Sequence, residues 1–285
     1  MRPDPELLTE ALGCAALDVG PPSAGGYTRS RSWRVTTPAG SVFVKEADDE
    51  GSLHMLRQEA TVYREVGGPF LPAFVGFADS GERALLAIEW LEDADWPPPY
   101  PEDVGPLFDA LALVAATVPP AELPRQRPRF SRWERVAADP QPFLGLGLCS
   151  ARWLERSLDT LVAAEATADF EGGVLVHNDV YSRNVCFAPR GAVLVDWGAA
   201  VRGSPWIDVA FALLSVRVEG GTPPVLDFPA EGAFAAALAG HLAVEAPAPL
   251  PQWAEPGSTL SDDMRGDLEY ALAWAAALLD LSPPG

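Results

Sequence analysis

Positive charge is what this sequence has least of: its 285 residues carry 20 Lys and Arg against 40 Asp and Glu, a formal net charge of -20. A field of that sign repels a phosphate backbone, so nucleic acid is not an expected partner, whereas a cationic small molecule is drawn in. Cysteine is scarce too. Cys14, Cys149 and Cys186 are odd in number, far apart and outside any C-x-x-C spacing, which argues against a disulfide framework or a zinc site and leaves three free thiols as the expectation. Long apolar runs are missing: the longest, residues 271–279, falls well short of the ~20 residues that cross a bilayer. The opening MRPDPELLTE has no apolar stretch behind a basic start, so no secretory leader is read and the expected compartment is the cytoplasm. Internal repeats and long low-complexity tracts are also lacking.

What is present is enough apolar material, 48% of residues, for a sizeable core and a chain length that suits two lobes or one large α/β unit. WRVTTPAGSVFVK, residues 33–45, predicts a hairpin around Thr-Pro-Ala-Gly, and RALLAIEW, residues 83–90, a third strand. Residues 52–66 predict a helix with Ser52 as N-cap and Gly67-Gly68-Pro69 as its stop. DADWPPPYPED, residues 93–103, is rich in Pro and acid and reads as a linker or surface crossing. Beyond it, residues 107–118, 151–168, 207–216, 232–244 and 260–279 carry helical spacing or Ala/Leu-rich composition. The expected fold is therefore α+β and two-lobed: a small β-rich lobe over residues 1–92 and a larger, mainly helical lobe over 93–285.

Chemistry concentrates in VLVHNDVYSRNVCF, residues 174–187, followed by APRG and AVLVD. The last three segments read as two short strands about a Pro-Gly turn. If Phe187 faces Ala192, counting outward sets Asn184 beside Val195 and next to Asp196, at the roughly 5 to 8 Å of facing or diagonal strand positions. An amide oxygen and a carboxylate are hard ligands that suit Mg²⁺. Asp179, one loop earlier, is then close enough to take a proton from a substrate held at that metal.

A second constellation precedes it. Glu59 falls amid Met55, Leu56, Val62, Tyr63 and Val66 on one helical face. A carboxylate inside an apolar stripe must be paired or lose its charge. Lys45, at the end of the strand SVFVK, is the natural partner, and the pair would hold an ammonium ready for phosphate oxygens.

These residues resemble the aminoglycoside phosphotransferase family, small-molecule relatives of the protein kinases. The family's H-G-D-x-x-x-x-N loop appears as His177-Asn178-Asp179-Val180-Tyr181-Ser182-Arg183-Asn184, its Asp-Phe/Trp-Gly as Asp196-Trp197-Gly198, its strand Lys and helix Glu as Lys45 and Glu59, and its W-x-D as Trp206-Ile207-Asp208. The agreement in order and spacing spans roughly residues 20–216. The resemblance implies a two-lobed protein-kinase-like fold and transfer of the γ-phosphate of ATP or GTP, with Mg²⁺, to a hydroxyl of a small molecule such as an aminoglycoside or other antibiotic. It implies that Asp179 orients and deprotonates the hydroxyl, that Asn184 and Asp196 hold Mg²⁺, that Lys45 binds the phosphates and that Asp208 braces the loop. It further implies a hinge near residues 88–92, where the Glu89 carbonyl and Leu91 amide meet the base, and a phosphate-covering turn at Gly25 and Gly26. Two departures stand out: Asn178 replaces the usual Gly, and SAGGYTRS, residues 23–30, is no G-x-G-x-x-G.

Other functions are set against this one. Protein kinases place A-P-E between D-F-G and the helix Asp; here eleven residues separate Asp196 from Asp208 and none form that element, so no protein substrate is expected. A nucleotide-binding pseudokinase or interaction module would be expected to lose Asp179, Asn184 or Asp196, all of which are present. The acceptor could equally be a metabolite such as an amino alcohol or sugar. The five Arg of residues 125–135 suit either an anionic group or a solvated face, and Asp262 and Asp263 either grip an amine or cap a helix.

Overall fold

The computed structural model describes residues 2–23, 26–126 and 131–284. Its first part is a five-stranded antiparallel sheet built from β1 (Asp18–Pro22), β2 (Arg31–Thr37), β3 (Gly40–Ala47), β4 (Phe74–Asp79) and β5 (Ala84–Glu89), in the order β1-β2-β3-β5-β4. The expected hairpin is β2–β3, closed where Thr37 pairs with Gly40. The expected third strand is β5, buried along nearly its whole length because it lies inside the sheet. Strands β1 and β4 were not expected; DVGPP is too rich in Gly and Pro, and FVGFAD too interrupted by Gly76, to stand out as strands.

Alternation decides which face each side chain joins. Val42 and Val44 of β3, with Trp33, Val35, Leu85 and Ala87, pack beneath α1 (Pro5–Leu12), whose Leu7, Leu8 and Ala11 cover that face. The other face carries Phe43, Leu86 and Ile88 and meets α2 (Glu50–Glu65), whose Leu56, Ala60 and Tyr63 lie in the same apolar cluster. Helix α2 is capped by Asp49, whose Oδ1 accepts the Ser52 N–H at 3.1 Å, and not by Ser52 as expected. Both residues are good caps; the extra turn, Glu50-Gly51, joins the helix because Asp49 holds the extended backbone that a cap needs.

The remaining chain is mainly helical: α3 (Gly105–Ala116), α4 (Arg132–Ala138), α5 (Gln141–Leu144), α6 (Ala151–Glu165), α7 (Trp206–Val218), α8 (Glu231–Glu245) and α9 (Leu260–Leu278). The five long helices fall within a few residues of their predicted spans, whereas the short α4 and α5 carry too few turns for a period to show. Their core joins Trp133, Phe143 and Leu161 to Phe234, Leu268 and Leu272. Residues 93–103 cross the surface but stay attached, because Asp95 and Phe187 exchange backbone hydrogen bonds at 2.8 and 2.9 Å and the Tyr100 hydroxyl meets Ser215 Oγ at 2.9 Å. Two small ribbons complete the chain, β6 (Val174–Val176) with β9 (Val201–Gly203), and β7 (Val185–Ala188) with β8 (Gly191–Leu194). Among the described residues no helix is long and apolar enough to cross a membrane, and the three cysteines are free thiols.

Candidate active site

The β7–β8 ribbon has the expected register. Phe187 faces Ala192, Val185 faces Leu194, and the Val195 N–H donates to the Asn184 carbonyl at 2.9 Å. Asn184 is thereby fixed next to the residue that precedes Asp196. Its Nδ2 donates to the Asp179 carbonyl at 2.9 Å and to Asp179 Oδ2 at 2.7 Å. Both partners are acceptors, so the amide must present its nitrogen to them and keep its oxygen for another ligand. Asp179 Oδ1 accepts from Arg183 Nη2 at 3.1 Å, and the Arg183 guanidinium lies over the rings of Tyr27 and Tyr181 at 4.8 and 4.5 Å.

The loop is held from beneath by the first turn of α7. Asp208, buried, accepts the backbone N–H of His177 and of Asn178, each at 2.8 Å. Burial raises the pKa of this carboxyl, and the two N–H donors oppose it. The His177 ring meets the Val195 carbonyl through Nε2 at 2.9 Å and packs edge-on against Trp197 at 4.5 Å. Asn178, where the family carries Gly, has φ of 66°. Asn is the side chain that best tolerates that left-handed conformation.

Lys45 arrives from the sheet. Alternation along β3 turns it away from Val42 and Val44 and toward α2, where its Nζ meets Glu59 Oε2 at 2.9 Å and Asp196 Oδ1 at 2.8 Å. The expected Lys45–Glu59 pair is present. Its second carboxylate, 151 positions away in sequence, was not foreseen as a partner. Burial opposes charge on Lys45, but the two carboxylates outweigh it and raise its pKa. For Glu59 burial dominates and pushes the carboxyl up, with Lys45 opposing. Asp196 also resists burial, yet Lys45 holds it below the ordinary carboxylate range. Asp196 itself is left-handed, φ 63°, which starts the tight turn through Trp197 and Gly198. That turn is fastened to α2 by Gln58, whose Nε2 donates to the Gly198 and Ala200 carbonyls at 2.9 and 2.8 Å.

The charged and amide groups of the loop and of the Lys45 cluster open on one cavity of about 580 Å³ between sheet and helices, whereas Asp208, His177, Trp197 and Gln58 stand behind it. Lys45, Glu59, Glu89, Leu91, Gly26, Asp179, Asn184 and Asp196 line it together. Gly25 lies outside the described residues. The Glu89 side chain points to Arg190, which binds it at 2.7 and 2.9 Å. Asp196 and the free Asn184 oxygen supply one carboxylate and one amide, a donor set that fits Mg²⁺ when phosphate oxygens and water complete it. No cluster of three or more His, Cys, Asp or Glu fit to hold a metal occurs among the described residues.

The cavity has a second wall that sequence reasoning missed: Tyr181, Phe211, Leu242, Trp253, Met264 and Asp267. These residues are scattered over the helical part and share no motif. Residues 254–263 also reach the turn after β1: the Glu255 N–H donates to the Tyr27 carbonyl and the Tyr27 hydroxyl to Asp263 Oδ2, both at 2.7 Å. Asp263 takes the Thr259 hydroxyl as well, at 2.7 Å. A Cβ on Gly51 would lie 2.8 Å from Trp253 Cβ, so the start of α2 needs its glycine to pass that ring. Within the Arg-rich run, Arg132 pairs with Glu245 at 2.7 Å and is largely buried; residues 127–130 lie outside the described residues.

Comparison with known proteins follows the geometry. The model of the phosphotransferase enzyme family (APH) matches residues 20–228. No curated protein matches the sequence. Among solved structures, a thermostable mutant of the aminoglycoside phosphotransferase APH(4)-Ia, in ternary complex with ADP and hygromycin B, is 15% identical with a TM-score of 0.60 over 96% of each chain. The spectinomycin phosphotransferase APH(9)-Ia with ADP and spectinomycin is 14% identical, TM-score 0.60, over 95% of this chain and 97% of its own. Choline kinase LicA from Streptococcus pneumoniae is 14% identical, TM-score 0.52, over 92% and 95%. The shared fold is the two-lobed α+β, protein-kinase-like one, and with the family model covering most of its length this chain belongs to the phosphotransferase enzyme family and is a small-molecule kinase with a hydroxyl acceptor.

Proposed function

We propose that the chain transfers the γ-phosphoryl group of ATP or GTP, in the presence of Mg²⁺, to a hydroxyl of an antibiotic or of a metabolite such as an amino alcohol. The observation that carries this reading is the convergence on one cavity of Lys45, held by Glu59 and Asp196, with Asp179 and Asn184 from the catalytic loop. Solved proteins of the same fold carry ADP with hygromycin B or spectinomycin, which supports a nucleotide and a small acceptor side by side.

In this reading residues 1–92 bind the nucleotide, residues 93–285 bind the acceptor and do the chemistry, and the chain between 88 and 92 joins them, presenting the Glu89 carbonyl and Leu91 amide to the base. Lys45, its ammonium kept charged by two carboxylates, neutralises the phosphates. Gly26, at φ of 95°, lets the turn after β1 approach them, with Gly25 beside it. Asp196 and the Asn184 amide oxygen would hold Mg²⁺, which would supply neutralisation of the phosphate charge. Asp179 orients the acceptor hydroxyl and takes its proton as the new O–P bond forms and the bond to the β-phosphate oxygen breaks, releasing the diphosphate. Asn184 holds Oδ2 and Arg183 holds Oδ1, so the carboxylate is fixed in orientation where the acceptor hydroxyl would meet it. Asp208 positions the loop without touching substrate.

The test is nucleotide consumption by the purified chain against aminoglycosides, macrolides, nucleoside antibiotics, amino alcohols and sugars, with ATP and with GTP. A hydroxyl compound that stimulates diphosphate release and gains mass as its phosphate ester is the expected result. Release that no hydroxyl compound stimulates would refute the transfer.

A further inference from the structure

Asp267, on α9, is 9% exposed and lines the cavity. It has no hydrogen bond and no ion pair with any described residue, unlike the three carboxylates that act on it, Asp179, Asp263 and Glu219. Asp179 is taken by Arg183 and Asn184, Asp263 by Tyr27 and Thr259, and Glu219 by the Ser182 hydroxyl at 2.6 Å. A carboxylate that faces the cavity with no protein donor is left to water or to a ligand for its partner. Burial drives its pKa up to about 6, with Asp263, Glu219 and Asp179 adding repulsion and Arg183 opposing. It therefore stays mostly charged at neutral pH. Among the described residues that act on it, three carboxylates face one guanidinium, that of Arg183, which leaves a field that favours a further cation.

The surroundings restrict what that cation is attached to. Tyr181, Phe211, Leu242, Trp253 and Met264 line the same cavity as Asp267 and make its helical side largely apolar. Such a wall rejects a body bristling with amines, because each additional ammonium would be desolvated without a carboxylate to meet it. We propose that the acceptor is a hydroxylated monoamine with an apolar body, its single ammonium on Asp267 and its carbon skeleton against the Trp253–Met264 wall. The inference rests on the phosphotransfer reading above and narrows its acceptor. Of the acids at the start of α9 that the sequence offers for an amine or a helix cap, Asp263 is spent on Tyr27 and Thr259 and is a structural tie, and Asp267 one turn later is the group without a partner among the described residues.

Three probes test it: trans-2-(dimethylamino)cyclohexanol, its uncharged isostere trans-2-isopropylcyclohexanol, and 1,3-diamino-2-propanol, which has charge without an apolar body. Nucleotide-dependent turnover and probe-induced shifts in melting temperature are read on wild type, Asp267→Asn and Asp263→Asn. Wild type is expected to favour the monoamine over both others by about ten-fold, the worth of one charge-assisted contact. Asp267→Asn is expected to erase the preference through KM with kcat within a few-fold, and to melt no lower than wild type because a lone buried charge is gone. Asp263→Asn is expected to keep the preference. An isostere or diamine that matches the monoamine on wild type, or a preference that survives Asp267→Asn, overturns the inference. Charge-dependent melting shifts without turnover of any probe would count against phosphotransfer instead and leave the Asp267 site standing.

Discussion

Replacing Lys45 by Met removes the ammonium that sits 2.9 Å from Glu59 and 2.8 Å from Asp196 and keeps most of its apolar stem. Glu59, 2% exposed, then has no cation. In the wild type its carboxyl is already pushed up to about 7 from 4.5, by burial first, with Lys45 opposing and Asp196 adding to the rise; without Lys45 it goes higher still. A raised carboxyl binds in the folded state a proton that the unfolded chain releases, so its contribution to stability is full below about 4.5 and is lost as pH climbs through the folded value. In the wild type that loss is complete a little above pH 7. In Lys45→Met it continues, at up to about 1.4 kcal/mol per pH unit. The stability gap between the two proteins is expected to widen by about 2 kcal/mol from pH 7 to 8.5 in urea unfolding. Asp196 loses the same cation, so burial moves its carboxyl up from the lowered position that Lys45 maintains, and a second substitution isolates the share that belongs to Glu59. Adding Glu59→Gln to Lys45→Met should shrink the widening to what Asp196 alone contributes. A gap that is flat between pH 7 and 8.5, or that widens equally in the double variant, would refute the pairing.

Asp179→Asn is expected to lower turnover by ~10² to 10⁴, the usual worth of a positioned proton acceptor, with nucleotide affinity kept, as read by single-turnover kinetics beside nucleotide titration. Asp196→Ala is expected to lose Mg²⁺-dependent nucleotide binding and Asn184→Ala a smaller part of it, since a carboxylate gives the cation a full charge and an amide only a dipole; calorimetry with and without Mg²⁺ separates them. Asn178→Gly should be close to neutral, whereas Asn178→Val, β-branched at φ of 66°, should cost about 1 to 2 kcal/mol in thermal or urea unfolding. Nucleotide affinity should be unaffected by either.

Where the sequence was legible, one local period or spacing was enough. The β7–β8 register followed from a Pro-Gly turn, and with it the adjacency of Asn184 to Asp196. The Lys45–Glu59 pair followed from a carboxylate stranded on an apolar helical stripe. What it hid depends on contacts far apart in the chain. Lys45 alternates toward α2, but only the left-handed turn at Asp196 brings a second carboxylate to the same ammonium. Strands β1 and β4 owe their existence to neighbours in the sheet and not to their own propensity, and Asp49 outcompetes Ser52 as a cap because its backbone is the extended one.

The acceptor wall was the least legible part, for a physical reason. Trp253, Met264 and Asp267 belong to segments whose apolar and acidic residues are each explained by helix packing and helix-end electrostatics. Only when residues 254–263 fold back against Tyr27 does Asp263 find its hydroxyl partners, and only that pairing distinguishes it from Asp267, which finds none. A sequence shows how many acids a helix carries; which of them remains unpaired is decided by the whole fold. The nucleotide side behaves in the opposite way, because phosphate and Mg²⁺ chemistry is the same for every substrate and confines Lys45, Asp179, Asn184 and Asp196 to fixed spacings. The acceptor differs from enzyme to enzyme, so no such spacing constrains its wall, and charge bookkeeping residue by residue is the route by which Asp267 is found.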